Sequence, residues 1–379
     1  NSGSTITLTA TLSQIADEAV TVSFSTSGAA TEGSDYSAIP NITIAAGSTT
    51  GTASFTISDD AIYEGNEVAT VAVSSVSGAD ATENGSQSVS ITVLENESAP
   101  TVSLASSSAS IAENSASAIT LTATLSQIAD EAVTVSFSTS GVATSGTDYS
   151  SISNITIAAG SATGTTSFTP TNDAIYEGDE VATVAVSSVS GADATESGSQ
   201  SVNITISEDD SAPTVSLASS SASIAESSAS TITLTATLSI IADEAVTVTL
   251  STSGAAVEGN DYAVISDITI AAGSSTGTTT FTPIDNAVYE SSKVATVAVS
   301  SVSGANATEN GNQSVSITLT EYENALTVTL STSASSIQED ASGTITLTAT
   351  LSELSDAAVT VALATSGSSA EGTDYANVP

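Results

Sequence analysis

The stretch Thr-Ile-Thr-Leu-Thr-Ala-Thr-Leu at residues 231–238 decides the fold of this chain. Threonine alternates with an apolar residue along its whole length, and successive side chains of a β-strand point to opposite faces. The isoleucine, leucines and alanine therefore share one face, while the threonines share the other. This two-residue period predicts a strand that is buried on one side only.

The same stretch recurs at a fixed distance. The block ITLTATLS begins at Ile6, Ile119, Ile232 and Ile345, so each copy follows the previous one by 113 residues. This spacing corresponds to a whole domain, because solenoid and propeller repeats are about 20 to 50 residues long. Each period contains short alternating segments and frequent glycine turns, without helical periodicity. The pattern predicts an all-β chain of tandem antiparallel β-sandwiches of the immunoglobulin type.

Breaks in the strand pattern indicate the domain boundaries. They fall at ESAPTV, DSAPTV and ENALTV, where polar residues and, in the first two, a proline interrupt the alternation. We predict domains at residues 1–100, 101–213, 214–326 and 327–379. The first lacks the opening strand of the repeat, and the last is the beginning of a further repeat. Both ends fall inside a domain, as expected for a section of a longer array.

The net charge limits the classes of partner that this chain can bind. The 379 residues carry 42 acidic side chains against a single base, Lys293, which gives a net charge of −41. Self-repulsion of this size favours bound cations. A nucleic-acid partner is excluded, because the chain lacks the bases that neutralise phosphates. No segment approaches the length of about 18 apolar residues that crosses a bilayer. Divalent cations are therefore the expected partners, and in a chain without cysteine bound metal would replace disulfides.

The composition also argues against catalysis. With no histidine or cysteine, the chain has no Ser-His-Asp or Cys-His arrangement and lacks the usual nitrogen and sulfur ligands of zinc. The same acidic residues recur in each period, which disfavours a single active site. We therefore predict that the chain is not an enzyme and that its role depends on length and repetition.

The acidic residues concentrate in a few connections of each period. In the second domain they are Glu113, Asp148, the segment at 172–180 and the segment at 208–210. Alternate connections of a β-sandwich meet at one end, so these groups are expected to converge. Calcium takes about six to eight oxygen ligands, largely from carboxylates and carbonyls of loops. The pattern favours a calcium site over the alternative, a solvated surface that keeps the array soluble.

The period as a whole resembles the Calx-beta domain. The resemblance rests on the opening Thr-Val-Ser-Leu with Ser-Ile-Ala-Glu113, on Gly-Thr-Asp148-Tyr149, on the Ile-Ala-Ala-Gly160 turn, and on Asn172-Asp173-Ala-Ile-Tyr-Glu177-Gly-Asp179-Glu180. It implies a cluster of calcium ions at one end of each sandwich. The ligands that it implies in the second domain are Glu113, Asp148, Asn172, Asp173, Glu177, Glu180, Asp209 and Asp210.

The resemblance carries over unevenly to the other domains. The implied ligands are Asp35, Asp59, Asp60, Glu64, Glu67, Glu95 and Glu97 in the first domain, Glu226, Asp261, Asp285, Glu290, Glu321 and Glu323 in the third, and Glu339 and Asp374 in the fourth. In the third domain Asn286 stands in place of Asp173 and Lys293 in place of Glu180. An ammonium group at that position would replace a cation, so we expect fewer ions there or none.

A further set of acidic pairs lies outside the matched motif. The pairs are Asp17-Glu18, Asp130-Glu131 and Asp243-Glu244. We interpret them as exposed turn residues and not as ligands.

These features together predict a secreted extracellular or cell-surface protein, of bacterial type, that acts as a stalk, fibre or adhesin. Calcium near the domain junctions would make it a stiff rod, and a chelator would make it flexible. Two alternatives remain. An adhesive module for a glycan or host protein would have diverged exposed loops in one repeat. A filament subunit would join identical chains through strand edges and form regular fibres when purified.

Overall fold

The structure is a computed structural model that describes residues 4–340, 342–376 and 378. The chain divides into two compact units, one formed by residues 1–172 and 179–209 and the other by residues 173–178 and 210–379. The described residues form strands, turns and bends, with no helix among them. The all-β prediction is confirmed. Nothing in this part of the chain is a helix long and apolar enough to cross a membrane.

The described residues of the first unit form seventeen strands. They are Thr5–Thr11, Val20–Gly28, Ile42–Ile44, Thr50–Thr56, Ile62–Tyr63, Glu67–Ser77, Ser88–Val93, Thr101–Ser106, Ser110–Ala112, Ile119–Leu125, Ile128–Ala129, Val133–Gly141, Ile155–Ile157, Thr163–Phe168, Glu180–Ser190, Thr195–Glu196 and Ser201–Ser207.

Residues 101–209 of the first unit form a β-sandwich. One sheet has the strand order Thr163–Phe168, Ile119–Leu125, Thr101–Ser106, Thr195–Glu196. The other has the order Ile155–Ile157, Val133–Gly141, Glu180–Ser190, Ser201–Ser207, Ser110–Ala112. Buried side chains from both sheets form one core, as the alternation predicts. In the strand Ile119–Leu125 the residues Ile119, Leu121, Ala123 and Leu125 are all buried.

The first repeat of this unit has the same layers with fewer strands. Its larger sheet runs Ile42–Ile44, Val20–Gly28, Glu67–Ser77, Ser88–Val93, and Thr5–Thr11 pairs with Thr50–Thr56. In the second repeat Thr101–Ser106 pairs with the strand that corresponds to Thr5–Thr11. The strand Thr5–Thr11 is correspondingly half-buried at its apolar positions.

In the second unit, the part of the chain that the structure describes forms fifteen strands. They are Ile175–Tyr176, Thr214–Ser219, Ser223–Ala225, Ile232–Leu238, Ile241–Ala242, Val246–Gly254, Ile268–Ile270, Thr276–Phe281, Val288–Tyr289, Lys293–Ser303, Thr308–Glu309, Ser314–Thr320, Val328–Thr332, Leu347–Leu351 and Leu354–Ser355.

The third repeat, in the second unit, has the same sandwich topology. One sheet runs Thr276–Phe281, Ile232–Leu238, Thr214–Ser219, Thr308–Glu309, and the other runs Ser223–Ala225, Ser314–Thr320, Lys293–Ser303, Val246–Gly254, Ile268–Ile270. The decisive stretch at 231–238 therefore supplies an inner strand, and its apolar residues lie in the core. In the fourth repeat Val328–Thr332 pairs with Leu347–Leu351. The boundaries predicted at residues 100, 213 and 326 stay a prediction.

An aromatic pair holds one connection of each sandwich in place. Tyr149 is 1% exposed and stacks on Phe168 with ring centroids 4.6 Å apart. Tyr262 and Phe281 stack in the same way at 4.6 Å. Since Asp148 and Asp261 directly precede these tyrosines, the packed ring fixes the place of a carboxylate at the rim of the core.

Candidate metal centre

A buried aspartate closes the turn that precedes each packed tyrosine. Asp35 is 7% exposed, and its Oδ2 accepts hydrogen bonds from the Thr31 amide at 2.5 Å and the Thr31 hydroxyl at 3.1 Å. Its carbonyl oxygen accepts from the Ser58 amide at 2.9 Å. The backbone therefore holds this carboxylate in one orientation, which is the first requirement of a rigid ligand.

The turn recurs in the other repeats. Asp148 accepts from the amide and hydroxyl of Thr144. Asp261 accepts from the Val257 amide at 2.5 Å. In the fourth repeat Asp374 accepts from the Ala370 amide at 2.7 Å, although its side chain is exposed.

Two glutamates meet Asp35 to form the first acidic cluster. Glu64 follows the short strand Ile62–Tyr63, and Glu67 begins the strand Glu67–Ser77. One carboxylate oxygen from each of Asp35, Glu64 and Glu67 lies within 4.8 Å of the other two. Three half-buried or buried carboxylates at this spacing repel one another unless a proton or a cation lies between them.

The protonation of this cluster reflects that repulsion. Burial first, and then the negative charges of Asp35 and Asp60, raise the pKa of Glu64 to about 7. Burial, followed by the charge of Asp35, also raises the pKa of Glu67. Without a cation, the cluster therefore favours a bound proton near neutral pH.

A second cluster results from parallel strand pairing. Ser110–Ala112 pairs in parallel with Ser201–Ser207, so that Ala112 lies opposite Ser207 and the next residues, Glu113 and Glu208, leave the sheet side by side. Carboxylate oxygens of Glu113, Glu208 and Asp209 lie within 4.8 Å of one another, and Glu113 is 5% exposed. The third repeat repeats the arrangement with Glu226, Glu321 and Glu323. There burial, and then the charge of Glu290, raise the pKa of Glu226 to about 7.

Lys293 changes the first cluster of the third repeat. Its ammonium group lies 3.0 Å from Oδ1 of Asp261 and 2.7 Å from Oε2 of Glu290. These positions correspond, two periods on, to Asp35 and Glu64, and Lys293 itself corresponds to Glu67. In the third repeat the ammonium group of Lys293 thus lies between Asp261 and Glu290. In the first repeat the corresponding carboxylates, Asp35 and Glu64, have a third carboxylate beside them instead. Burial opposes the charge of Lys293, but hydrogen bonds to Glu290 and Asp261 outweigh it and raise the pKa of the lysine.

Glu95 was predicted as a ligand and is engaged by the backbone. Its carboxylate accepts hydrogen bonds from the amides of Glu64 at 2.5 Å, Gly65 at 2.8 Å, Asn96 at 2.7 Å and Glu97 at 2.9 Å. Burial opposes its ionisation, but the amide donors prevail and lower the pKa of Glu95 to about 2. The residue thus holds the loop that carries Glu64 in place, and its role as a ligand stays a prediction.

Several other predicted ligands accept hydrogen bonds from neighbouring residues. Asp60 and Asp173 each accept a hydrogen bond at 2.8 Å from the amide two residues later, which shapes the turn before the next strand. Asp209 accepts from Asn114 at 2.8 Å. The remaining predicted ligands that are exposed are Asp59, Asn172, Asp285 and Glu339, and those that are half-buried or buried are Glu97, Glu177, Glu180 and Asp210.

The structure corrects the interpretation of Asp130. The residue is exposed, as expected, but it does not lie away from the motif. Its amide donates to the carbonyl oxygen of Tyr63 at 3.1 Å, and its charge contributes to the raised pKa values of Glu64 and Glu67. The first cluster of one repeat is therefore next to an acidic residue of the following repeat. Sequence reasoning missed this because the proximity arises from packing between repeats.

The three full or nearly full repeats match one family along most of their length. The Calx-beta domain family model matches residues 1–98, 95–210 and 208–325. The chain belongs to the Calx-beta family. No curated protein matches the chain. The predicted resemblance is therefore confirmed, and the acidic clusters lie in Calx-beta repeats.

Three solved structures are similar to this chain at low sequence identity. A crystal structure of CBD12 from CALX1.2 is 15% identical and has a TM-score of 0.26, with 57% of this chain and 99% of that chain covered. Invasin, a bacterial integrin-binding protein, is 15% identical with a TM-score of 0.26 over 91% of this chain and 67% of that chain. The Yersinia pseudotuberculosis adhesin InvE is 11% identical with a TM-score of 0.30 over 57% of this chain and 58% of that chain.

The raised pKa values predict an unusual pH dependence of the metal-free chain. Glu64 and Glu226 hold their protons more tightly when folded than when unfolded, so the folded state binds more protons between pH 4.5 and pH 7. Stability in chelator is therefore expected to rise as the pH falls from 8 to 5. Chemical denaturation at a series of pH values measures this slope. Glu64→Gln should flatten it, and an unchanged slope in that variant would contradict the assignment.

Proposed function

We propose that this chain is a structural repeat protein of the cell exterior, a stalk, fibre or adhesin, whose acidic loops bind calcium near the junctions between repeats. The observation that carries the proposal is the exchange of Lys293 for a cluster carboxylate. Where the third repeat has an ammonium group between Asp261 and Glu290, the first repeat has a third carboxylate and no base. Because the site of the third repeat holds the positive charge of a side chain, the corresponding site of the first repeat is suited to a bound metal ion.

The donor set fits calcium better than other metals. The first cluster offers only carboxylate oxygens, from Asp35, Glu64 and Glu67. Oxygen ligands suit calcium and magnesium, whereas zinc and copper prefer histidine or cysteine, which this chain lacks. Several flexible carboxylates on loops favour calcium over magnesium, which requires near-ideal octahedral geometry. These residues would hold the ion, which would supply positive charge and cross-link the loops.

The position of Asp130 supports a role at the junction. A cation held by Glu64 and Glu67 would also be attracted to the carboxylate of Asp130 in the next repeat. Such an ion would reduce the motion of one repeat against the next. Repetition then supplies length, and the composition suits the cell exterior, since a single lysine leaves almost no site for trypsin-like proteases.

Thermal unfolding of the full chain with and without millimolar calcium tests the proposal. At a free calcium concentration of 100 times the dissociation constant, one site contributes about 2.7 kcal/mol. We expect a clear rise in melting temperature, reduced by Asp35→Asn or Glu64→Gln. Asp17→Asn is the matched control, because Asp17 is an exposed acidic residue of the same repeat outside the clusters.

Solution scattering completes the test, since calcium should also narrow the spread of interdomain conformations. A melting temperature that calcium leaves unchanged would refute calcium binding. An equal loss of response in Asp17→Asn would show that calcium acts only on the net charge.

A further inference from the structure

A short strand of each repeat pairs with the repeat that follows it. In the first unit Ile62–Tyr63 pairs in parallel with Ile128–Ala129. In the second unit Ile175–Tyr176 pairs in parallel with Ile241–Ala242, and Val288–Tyr289 pairs with Leu354–Ser355. Each contact continues with an amide hydrogen bond to the tyrosine carbonyl oxygen, at 3.1 Å for Tyr63 and 3.2 Å for Tyr176. The same strand pairing occurs three times and is therefore a regular feature of the array.

The tyrosine side chain enters the core of the following repeat. Tyr176 is 9% exposed and belongs to the hydrophobic core of the third repeat. Tyr63 is half-buried and packs against the core of the second repeat. Because a buried tyrosine ring removes much apolar surface from water, each repeat completes part of the core of the next.

The tyrosine hydroxyl meets the same turn in both units. The Tyr63 hydroxyl donates to Oδ2 of Asp193 at 2.9 Å. At the corresponding place the Asn306 amide donates to the Tyr176 hydroxyl oxygen at 2.8 Å. The partner changes from acceptor to donor, and the hydroxyl group can serve as either. The contact thus survives the substitution of aspartate by asparagine.

The turn that carries this partner has a strained backbone. Ala192 and Asp193 have φ values of 49° and 48°, and Ala305 and Asn306 both have 49°. Two successive non-glycine residues in the left-handed region persist only where the surroundings impose them. A glutamate side chain stabilises each of these turns. Glu131 accepts a hydrogen bond from the Ala192 amide at 3.2 Å, and Glu244 accepts one from the Ala305 amide at 3.1 Å.

We propose that Asp193 and Asn306 each recognise the tyrosine of the preceding repeat, so that neighbouring repeats are coupled by a protein contact that needs no cation. We call this contact the tyrosine clasp, formed by Tyr63 with Asp193 and by Tyr176 with Asn306. The partner that fits this surface is an Ile-Tyr strand of another repeat. The clasp couples the folding of neighbours, whereas calcium would damp their remaining motion, so the two proposals are independent.

Hydrogen exchange of the full chain in chelator, with enough sodium chloride to screen its charge, tests the clasp. The variants Tyr63→Phe and Asp193→Ala each remove one hydrogen bond and should speed exchange at residues 127–131 about fivefold. The double variant should be no faster than either single variant, because both remove the same contact. Asp80→Ala is the matched control, since Asp80 lies in the same left-handed turn of the first repeat, and no described tyrosine bonds to it.

The second junction provides an independent measurement. Asn306→Ala should speed exchange at residues 241–243, and Asn306→Asp should preserve protection because a carboxylate accepts from the Tyr176 hydroxyl. Unchanged exchange at residues 127–131 in both Tyr63→Phe and Asp193→Ala would overturn the proposal. An effect of Asp80→Ala on those residues equal to that of Asp193→Ala would overturn it as well. These outcomes are read without calcium, so they are separate from the fate of the calcium site.

Discussion

Replacing Lys293 with glutamate is expected to unfold the third repeat in chelator and to make its folding depend on calcium. The substitution removes the ammonium group from between Asp261 and Glu290, and it adds a third carboxylate. Removing one partner of a buried ion pair costs about 3 to 5 kcal/mol, and the 22% exposure of the lysine side chain reduces this to about 2 to 3 kcal/mol. Repulsion from the new carboxylate adds to the loss. The resulting donor set equals that of the first repeat, so calcium should restore stability.

Hydrogen exchange of the strand Lys293–Ser303 with and without calcium measures this prediction. The control is Lys293→Met, which removes the charge and keeps the length of the side chain. Both variants should lose protection in chelator, but only Lys293→Glu should regain it in calcium. If calcium rescued both variants equally, the third carboxylate would have no special part in binding the ion.

Substitution of Gly141 by alanine is expected to be the most damaging single-methyl change in the second repeat. Gly141 has a φ of 121°, and a Cβ atom built there would lie 2.1 Å from the carbonyl oxygen of Val181. That oxygen belongs to the adjacent strand Glu180–Ser190, so relief of the clash must separate two strands of the core sheet. The combined strain and overpacking should destabilise the repeat by about 3 kcal/mol or more.

Gly146→Ala is the matched control for this prediction. Gly146 also has a positive φ, 99°, but a Cβ atom there would have no neighbour within 4 Å. This variant should cost only about 1 kcal/mol from the backbone conformation. Denaturant unfolding followed through tyrosine fluorescence compares the two. Equal losses would mean that backbone conformation alone, and not the approach of Val181, determines the effect.

The fold was predictable because its main signal is local. The alternation at 231–238 predicts a strand with one buried face, and Leu234 and Ala236 are indeed buried. The 113-residue period shows that this strand recurs in every repeat. Asp35 and its counterparts Asp148 and Asp261 were identified through the resemblance, in which an aspartate directly precedes a tyrosine. Glu113 was identified through the resemblance, but Glu208 was missing from the implied ligands, because the parallel pairing that places it beside Glu113 leaves no mark in the sequence.

The rest of the site depends on contacts that a linear pattern does not contain. Glu95 and Glu64 are both acidic residues in loops, yet four amide donors surround one, whereas like charges surround the other. Nothing in the residue types separates these environments. Asp130 was misplaced for a similar reason, because its neighbours belong to another repeat. Sequence therefore identified the candidate ligands, and packing decides what each carboxylate does.

The tyrosine clasp joins residues that occupy the same positions of the repeat at both junctions where it is seen. Tyr63 and Asp193 are 130 residues apart, and so are Tyr176 and Asn306. A crossover in the encoding gene that joins any codon to its counterpart one period later removes or adds 113 residues and recreates the same junction. The chain can thus be lengthened or shortened in whole modules while the strand pairing and the clasp between neighbours are kept. The length of the array then depends on the number of repeats, while each repeat keeps its fold.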